Sequence, residues 1–327
     1  MNRLIDTFGR KHNYLRISVT DRCNLRCVYC MPHEGIAWKK KDQLLTFEEI
    51  IRISRVFAQM GMDKIRLTGG EPMVRKNLEV LIEQLALIEG VKTIAMTTNA
   101  TLLKPVAKHL RSIGLSALNI SLDTFKAERF AAITRRDDFQ NVIDGINEAL
   151  DADFESLKLN MVVMSGVNDD EIIDFVDFVK DKKINVRFIE YMPFKDNLWN
   201  LNKVVTFQEM RDLIQQKYKL YPLESEPSAV AKDFGIEGHT GTVSFISSMS
   251  DSFCGSCNRL RLTADGSIKS CLFYPAETSL RDALRKGITN QTLEEMILQA
   301  LALKPEAHPP AEEIAAADNR AMIEIGG

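Results

Sequence analysis

No apolar run in this 327-residue sequence reaches the roughly 20 residues that span a bilayer, so no helical membrane span is expected. Met1 to Lys11 also lack the apolar core of a secretory signal, and the expected compartment is the cytosol. A dominant sign of charge is missing as well. The 42 basic residues stand against 45 acidic ones, a net charge of -3, which leaves no broad electrostatic footprint for nucleic acid or a membrane surface. Any strong attraction for anions must be local. There is no internal repeat, and cysteine is scarce, with six residues in all. In a long chain in a reducing compartment, so few cysteines favour metal ligation or redox chemistry over disulfides. What is present, 45% hydrophobic and 27% charged, suits one large globular domain, or one domain with a smaller extension.

Apolar alternation marks short strands at Leu15 to Val19, Lys64 to Thr68, Thr93 to Thr98, Ala117 to Ser121, Leu157 to Val163 and Asn185 to Glu190. Helical periodicity runs over Thr46 to Met60, Leu78 to Ile88, Pro105 to Ile113, Phe139 to Leu150, Asp170 to Lys180 and Phe207 to Lys217. The first helix opens on the capping box Thr46-Phe47-Glu48-Glu49 and is ended by Gly61. Strand and helix alternating through short connections predict parallel βα units. Six such units curl into a partial TIM-like barrel, with helices outside and function on the loops after the strands. A flat doubly wound sheet is the alternative. After about Glu224 the rhythm breaks at the glycine-punctuated Phe234 to Gly241. The chain is therefore divided into a barrel, residues 1–225, and a smaller C-terminal region, residues 226–327. A late helix is expected from the capping box Thr292-Leu293-Glu294-Glu295, and the Ala-, Pro- and Glu-rich stretch from Lys304 to Asp318 is expected to be a mobile tail.

The cysteines fall into two triplets: Cys23, Cys27 and Cys30 after the first strand, and Cys254, Cys257 and Cys271 in the C-terminal region. Iron-sulfur clusters take one cysteine per iron. Three thiolates on a loop can hold three irons of a [4Fe-4S] cube and leave the fourth open for another ligand. Zinc is the alternative, because structural zinc sites close with four Cys or His ligands, often from Cys-x-x-Cys knuckles. His33 would complete such a set at the first triplet, but gaps of three and then two residues do not match the knuckle. Cys254 and Cys257 do form a knuckle-like pair, Cys271 follows after thirteen residues, and His239 is available as a fourth ligand. Spacing alone leaves zinc open there.

The residues around the first triplet narrow the choice. Ser18-Val19-Thr20-Asp21-Arg22-Cys23-Asn24-Leu25-Arg26-Cys27-Val28-Tyr29-Cys30-Met31-Pro32 resembles the cluster loop of radical S-adenosylmethionine (SAM) enzymes. Thr68-Gly69-Gly70-Glu71-Pro72, one βα unit later, is similar to the same family's methionine-binding motif. Its glycines allow close backbone approach, and Glu71 offers an acceptor for an ammonium. The resemblance implies a SAM molecule whose methionine end chelates the open iron. One electron then cleaves it to a 5′-deoxyadenosyl radical, which takes hydrogen from the substrate. Tyr29 would sit beside the adenine.

Strand parity adds a second clue, since alternate side chains share a face. Tyr14, Arg16 and Ser18 lie together, as do Lys64, Arg66 and Thr68, and Lys158 and Asn160. If these faces line a lumen, Arg16, Arg66 and Lys158 converge into a basic cavity for a phosphorylated substrate. The second triplet, with Phe253-Cys254-Gly255-Ser256-Cys257-Asn258-Arg259-Leu260-Arg261 and Cys271, resembles the GTP 3′,8-cyclase branch of the radical SAM family. That resemblance implies two [4Fe-4S] clusters, SAM as cofactor and GTP as substrate, in the first step of molybdenum cofactor biosynthesis. Carried onto matching positions, it implies GTP contacts from Arg16, Arg66, Thr97, Lys158, Arg259 and Arg261, and SAM contacts from Tyr29, Gly70, Ser121 and Met192. It also implies an external electron donor and hand-off of the product to cyclic pyranopterin monophosphate synthase, and it leaves a homodimer open. No nucleic-acid or membrane partner is implied. Arg259 and Arg261 are assigned to the catalytic set, with Gly326 and Gly327 supporting activity by entering a narrow channel where the terminal carboxylate meets an arginine. Ala100, where relatives commonly carry glycine, would be strained by a positive φ. A radical SAM enzyme acting on a peptide and a zinc-stapled binding protein are the competing readings.

Overall fold

A computed structural model describes residues 3–32, 34–251, 253–274, 278–317 and 320–326. The six expected strands are present at Tyr14–Ser18 (β1), Lys64–Thr68 (β2), Thr93–Thr98 (β3), Ala117–Ser121 (β4), Ser156–Val163 (β5) and Asn185–Glu190 (β6). Each runs parallel to the next, because the intervening helical segment returns the chain to its starting edge. The first returning helix, Phe47–Gln59, starts as its sequence dictates: Thr46 Oγ1 accepts from Glu49 N, and Glu49 Oε2 accepts from Thr46 N.

Alternation along β5 separates two faces. Leu157, Leu159, Met161 and Val163 are buried, whereas Lys158, Asn160 and Val162 are only half-buried. The apolar parity of β1, β2, β5 and β6 joins one large core cluster with helix residues such as Ile50, Ile53, Val56 and Phe57. The other parity faces a lumen. The strand order β1 to β6 never reverses, so the switch point of a doubly wound sheet does not arise and the helices stay on one face.

The remaining strands are Leu220–Pro222 (β7), Lys232–Ile236 (β8), Thr242–Ile246 (β9), Arg259–Leu262 (β10), Ser267–Lys269 (β11) and Thr278–Ser279 (β12). Among the described residues, twelve strands form one sheet in the order β12-β11-β10-β1-β2-β3-β4-β5-β6-β9-β8-β7. β10 extends the sheet parallel to β1, and β9 extends it parallel to β6. The sheet has two free ends and is a partial TIM-like βα barrel. No helix among the described residues is long and apolar enough to cross a membrane.

Three local expectations change. A helix at Ala127–Thr134 was not anticipated. The late helix spans Asn290–Ala302 and is capped by Thr289, whose side chain accepts from Thr292 N, so the expected cap Thr292 lies in the first turn. The stretch 304–317 is anchored, with Lys304 and Ile314 buried and a helix at Ala311–Ala316; Asp318 lies outside the described residues. Its polar composition is overridden by the packing of Ile314 with Phe194, Phe273 and Ile325.

Glu190 ends β6 fully buried. Its carboxylate accepts from Phe207 N at 2.8 Å, Met249 N at 2.8 Å and Ser250 N at 2.9 Å, and also from Ser250 Oγ. One side chain thus fixes the end of β6, the start of helix Phe207–Gln215 and the loop after β9. Glu190→Gln would turn one acceptor into a donor facing backbone donors. We expect a loss of about 2 kcal/mol, read as a lower urea midpoint; an unchanged midpoint would show that these bonds do not hold the junction.

Candidate active site

The first cysteine loop leaves the C-terminal end of β1 and is pinned to the loop after β2. Gly70 N donates to Thr20 O at 2.9 Å, and Glu71 N donates to Arg22 O at 2.8 Å. A Cβ at Gly70 would stand 2.3 Å from Arg22 O, so only glycine permits this approach. Glu71 is buried and its carboxylate is turned into the protein. It accepts from Met73 N at 3.0 Å, Thr98 Oγ1 at 2.8 Å and Asn99 N at 2.7 Å. The expected ammonium acceptor is therefore a brace between the second and third loops. Asn99 extends that brace with an amide bond to Asn24 Oδ1 at 2.9 Å and a longer contact to Cys23 Sγ at 3.8 Å. Ala100 does adopt a positive φ of 62°, and its N–H donates to Thr98 Oγ1 at 3.0 Å. The strain is tolerated because this buried turn is fixed from both sides.

Cys23, Cys27 and Cys30 are free and half-buried. Burial, followed by the nearby Glu71, pushes the Cys23 thiol up to about 11. Burial, Cys30 and Asp123 push Cys27 well up, and burial and Cys23 do the same to Cys30. The three sulfurs therefore feel one another and hold their protons until a metal replaces them. Among the described residues, no three His, Cys, Asp or Glu side chains are placed to hold a single metal ion. A cube taking one cysteine per iron asks its ligands to stand farther apart than a single ion does, and all three cysteines lie on the one loop after β1. His33 lies outside the described residues.

In the second triplet Cys257 has the opposite electrostatics. Cys254–Ser256 is a single tight turn leading to Cys257 and β10, and Cys271 follows β11. Burial alone would raise the Cys257 thiol, but Arg259 and Lys304 outweigh it and bring it down to about 6. His239 does not join this triplet. It sits beyond β8, edge-on to Tyr218, and contacts Glu237 O. Because β10 runs parallel to β1 with Tyr14 opposite Arg259, the two triplets lie at opposite ends of the lumen. About 15 Å of strand separates them.

Cations line the wall between. Arg261, Arg16 and Arg66 are abreast on β10, β1 and β2. Arg66 donates to the Tyr14 hydroxyl and, at 3.4 Å, to Thr97 Oγ1. Arg259 lies 4.8 Å over the Phe253 ring. Burial and then Arg187 bring Lys158 down to about 8, and burial and then Arg66 bring Arg187 down to about 10. Burial and Arg259 likewise lower Arg261 to about 10, and burial and Arg261 press Arg16 well down. Burial would raise the Tyr14 phenol, yet Arg66, Arg16 and Lys64 bring it to about 7. These shifts report burial first and crowded positive charge second, in a space suited to a polyanion.

Arg187 escaped the sequence reading. Its β6 parity, shared with Asn185, is the same signal that picked out Lys158, and its Nε is buried with no hydrogen-bond partner among the described residues. Asp123 was missed too; it accepts from the Tyr29 hydroxyl at 2.7 Å and from Val162 N at 2.9 Å. Tyr29, Gly70, Ser121 and Met192 all follow or end strands at the same rim as the first triplet. Asn197 ties two of them, donating to Met192 O at 2.8 Å and Tyr29 O at 3.3 Å.

The chain's last described segment enters this rim. Ala321 and Ile323 pack with Met31, while Ile325 packs with Phe194 and Phe273. Gly326 has φ 85°, and a Cβ there would meet Thr68 Oγ1 at 2.7 Å and Ser18 Cβ at 2.8 Å. Arg261 does find the tail, through Gly326 O at 2.7 Å. The carboxylate expected there belongs to Gly327, outside the described residues.

The family model described as "Radical SAM superfamily" matches residues 17–179, and "Molybdenum Cofactor Synthesis C" matches 184–310. Mitochondrial GTP 3′,8-cyclase of Arabidopsis thaliana is 49% identical, over 99% of this chain and 83% of its own. GTP 3′,8-cyclase of Syntrophomonas wolfei is 42% identical, over 99% of this chain and all of its own. Molybdenum cofactor biosynthesis protein 1 of Homo sapiens is 48% identical over 98% of this chain, which spans about half (51%) of that relative. Streptococcus suis SuiB bound to S-adenosylmethionine shares the fold at a TM-score of 0.58 and 14% identity, covering 90% of this chain and 68% of that one. With the radical SAM region and the C-terminal region both matched, and relatives covered over most or all of their length at 49% and 42% identity, the chain belongs to the GTP 3′,8-cyclase family of radical SAM proteins.

Proposed function

We propose that this protein converts GTP to (8S)-3′,8-cyclo-7,8-dihydroguanosine 5′-triphosphate, the first step of molybdenum cofactor biosynthesis, in the cytoplasm. The observation that carries this reading is the parallel pairing of β10 with β1, which sets two cysteine triplets at opposite ends of a cation-lined lumen. Residues 1–225 supply the first cluster site and 226–327 the second. Cys23, Cys27 and Cys30 hold one [4Fe-4S] cluster, and Cys254, Cys257 and Cys271 hold the other. When bound, these groups and SAM supply a 5′-deoxyadenosyl radical that takes the ribose C3′ hydrogen, and an open iron for the guanine.

The chain's own residues supply position and charge. Gly70 lets the backbone after β2 close on Arg22 and Cys23, beside the SAM methionine end, and Tyr29, held by Asp123, flanks the adenine with Ser121 and Met192. Arg16, Arg66, Lys158, Arg187, Arg259 and Arg261 bind the triphosphate and keep the ribose between the triplets, with Thr97 oriented by Arg66. The packed tail excludes water from the upper rim. An external donor supplies one electron to start the reaction and a second, taken up with a proton, to convert the cyclised nucleotide radical into the dihydro product, which passes to cyclic pyranopterin monophosphate synthase.

Anaerobic, reduced, cluster-loaded protein given SAM and GTP is expected to release 5′-deoxyadenosine together with the cyclised nucleotide. If 5′-deoxyadenosine forms without nucleotide product, the GTP assignment fails and a different radical substrate is required. Replacing Arg259 and Arg261 together by Ala removes two charge-assisted bonds of about 1.5 kcal/mol or more each, so the GTP Kd rises about 100-fold. Arg187→Met costs about tenfold on the same basis. Calorimetric titration measures both, and unaltered affinity removes the residue concerned from the site. Deleting Gly326 and Gly327 should suppress turnover more than about tenfold while iron and sulfide content stay unchanged, because the Arg261 contact to Gly326 O is lost without touching either cysteine loop.

A further inference from the structure

We propose that Lys304 is a positioning residue of the second cluster site, whose buried ammonium donates a charged hydrogen bond to the Cys257 sulfur and raises that cluster's reduction potential. This rests on the reading of Cys254, Cys257 and Cys271 as cluster ligands.

Lys304 follows the helix Asn290–Ala302 and is only 4% exposed. Its Nζ reaches Ser270 O at 2.6 Å, Arg259 O at 2.9 Å and Cys257 Sγ at 3.4 Å. Three acceptors use three N–H groups, which an ammonium has and a neutral amine lacks. Its partners straddle both ligand-bearing segments: Arg259 lies two residues after Cys257, and Ser270 directly precedes Cys271. Lys304 has no ion pair with a carboxylate among the described residues. A buried cation without one needs negative charge from elsewhere, and the Cys257 sulfur 3.4 Å away supplies it when that thiolate holds a cluster.

Arg10 completes the clamp from the other end of the chain. It donates to Cys254 O at 2.8 Å, Glu306 O at 2.6 Å and Pro305 O at 2.7 Å, while Asp6 accepts from its Nε at 2.6 Å. The backbone beside Lys304 is thereby fixed to the remaining cysteine. Reduction adds negative charge to a cluster, and both a nearby cation and hydrogen bonds to its sulfurs favour the reduced form.

The test is an anaerobic redox titration of the full, cluster-loaded protein followed by electron paramagnetic resonance. The second cluster is identified as the signal that GTP perturbs and SAM does not. Lys304→Met should move its midpoint to lower potential and leave the first cluster's midpoint in place. Lys304→Arg should restore most of the shift. A wild-type midpoint in assembled Lys304→Met overturns the proposal, as does an equal shift in Lys304→Arg. If Lys304→Met does not retain the second cluster, the unmutated protein decides. Lysine labelled with ¹⁵N should give a ¹⁵N hyperfine coupling to the reduced second cluster, and its absence refutes the contact. Unmutated protein that assembles no second cluster at all instead sinks the cluster reading itself.

Discussion

Repulsion between like charges governs the interior of this barrel. Arg261, Arg16 and Arg66 stand side by side on three neighbouring strands, with Arg259, Lys158 and Arg187 near them. At the roughly 5 Å spacing of adjacent strands, two unit charges repel by about 3 kcal/mol at an effective dielectric of 20. Such a wall persists only because a large apolar core on the outer face of the same strands holds it together. A polyanion in the lumen relieves the repulsion, so ligand binding and barrel stability are linked through the same side chains. A near-neutral chain can thus hold a strongly basic site, since net charge averages over a surface that the lumen does not share.

The other constraint is topological. The two cysteine triplets are more than two hundred residues apart in sequence, yet pairing β10 onto β1 aligns them along one axis. Parallel pairing matters here. An antiparallel β10 would carry the second triplet to the same rim as the first and leave the other end without a ligand-bearing group. The first loop is then fixed by backbone bonds from the Gly70 region and by the Glu71 and Asn99 brackets, all from neighbouring strands. The second is fixed by two buried cations from opposite ends of the chain, Arg10 and Lys304. Backbone bonds and a buried carboxylate brace one site and buried cations the other, so the difference between them is built into their supports.

The central strands were legible because their apolar parity is clean. In β5 every second residue is buried, and the same parity that marked Lys158 would have marked Arg187 had it been applied to β6. Both cysteine triplets were legible because thiols are rare and their neighbours distinctive. Position on either flank of the sheet was not: a four-residue strand such as β10 gives almost no periodic signal, and its partner is set by tertiary pairing. Glu71 was misjudged for a related reason. A carboxylate beside two glycines suggests an exposed acceptor, but the donors that bury it come from residues 98 and 99 on a different strand. Lys304 and Arg10 were invisible because their acceptors are backbone carbonyls and a sulfur distant in sequence.

The C-terminal segment carries the argument one step further. Its Ala-, Pro- and Glu-rich composition supports no core of its own, and the order it has comes from what it touches. Lys304 grips the second cysteine loop, and Arg320 reaches Asp265, which also receives Lys39 from the stretch after the first loop. Ala321 and Ile323 cover Met31, and Gly326 ends against Ser18 and Thr68. One poorly self-sufficient segment therefore contacts both cluster sites in sequence, and its ordering depends on both loops being formed.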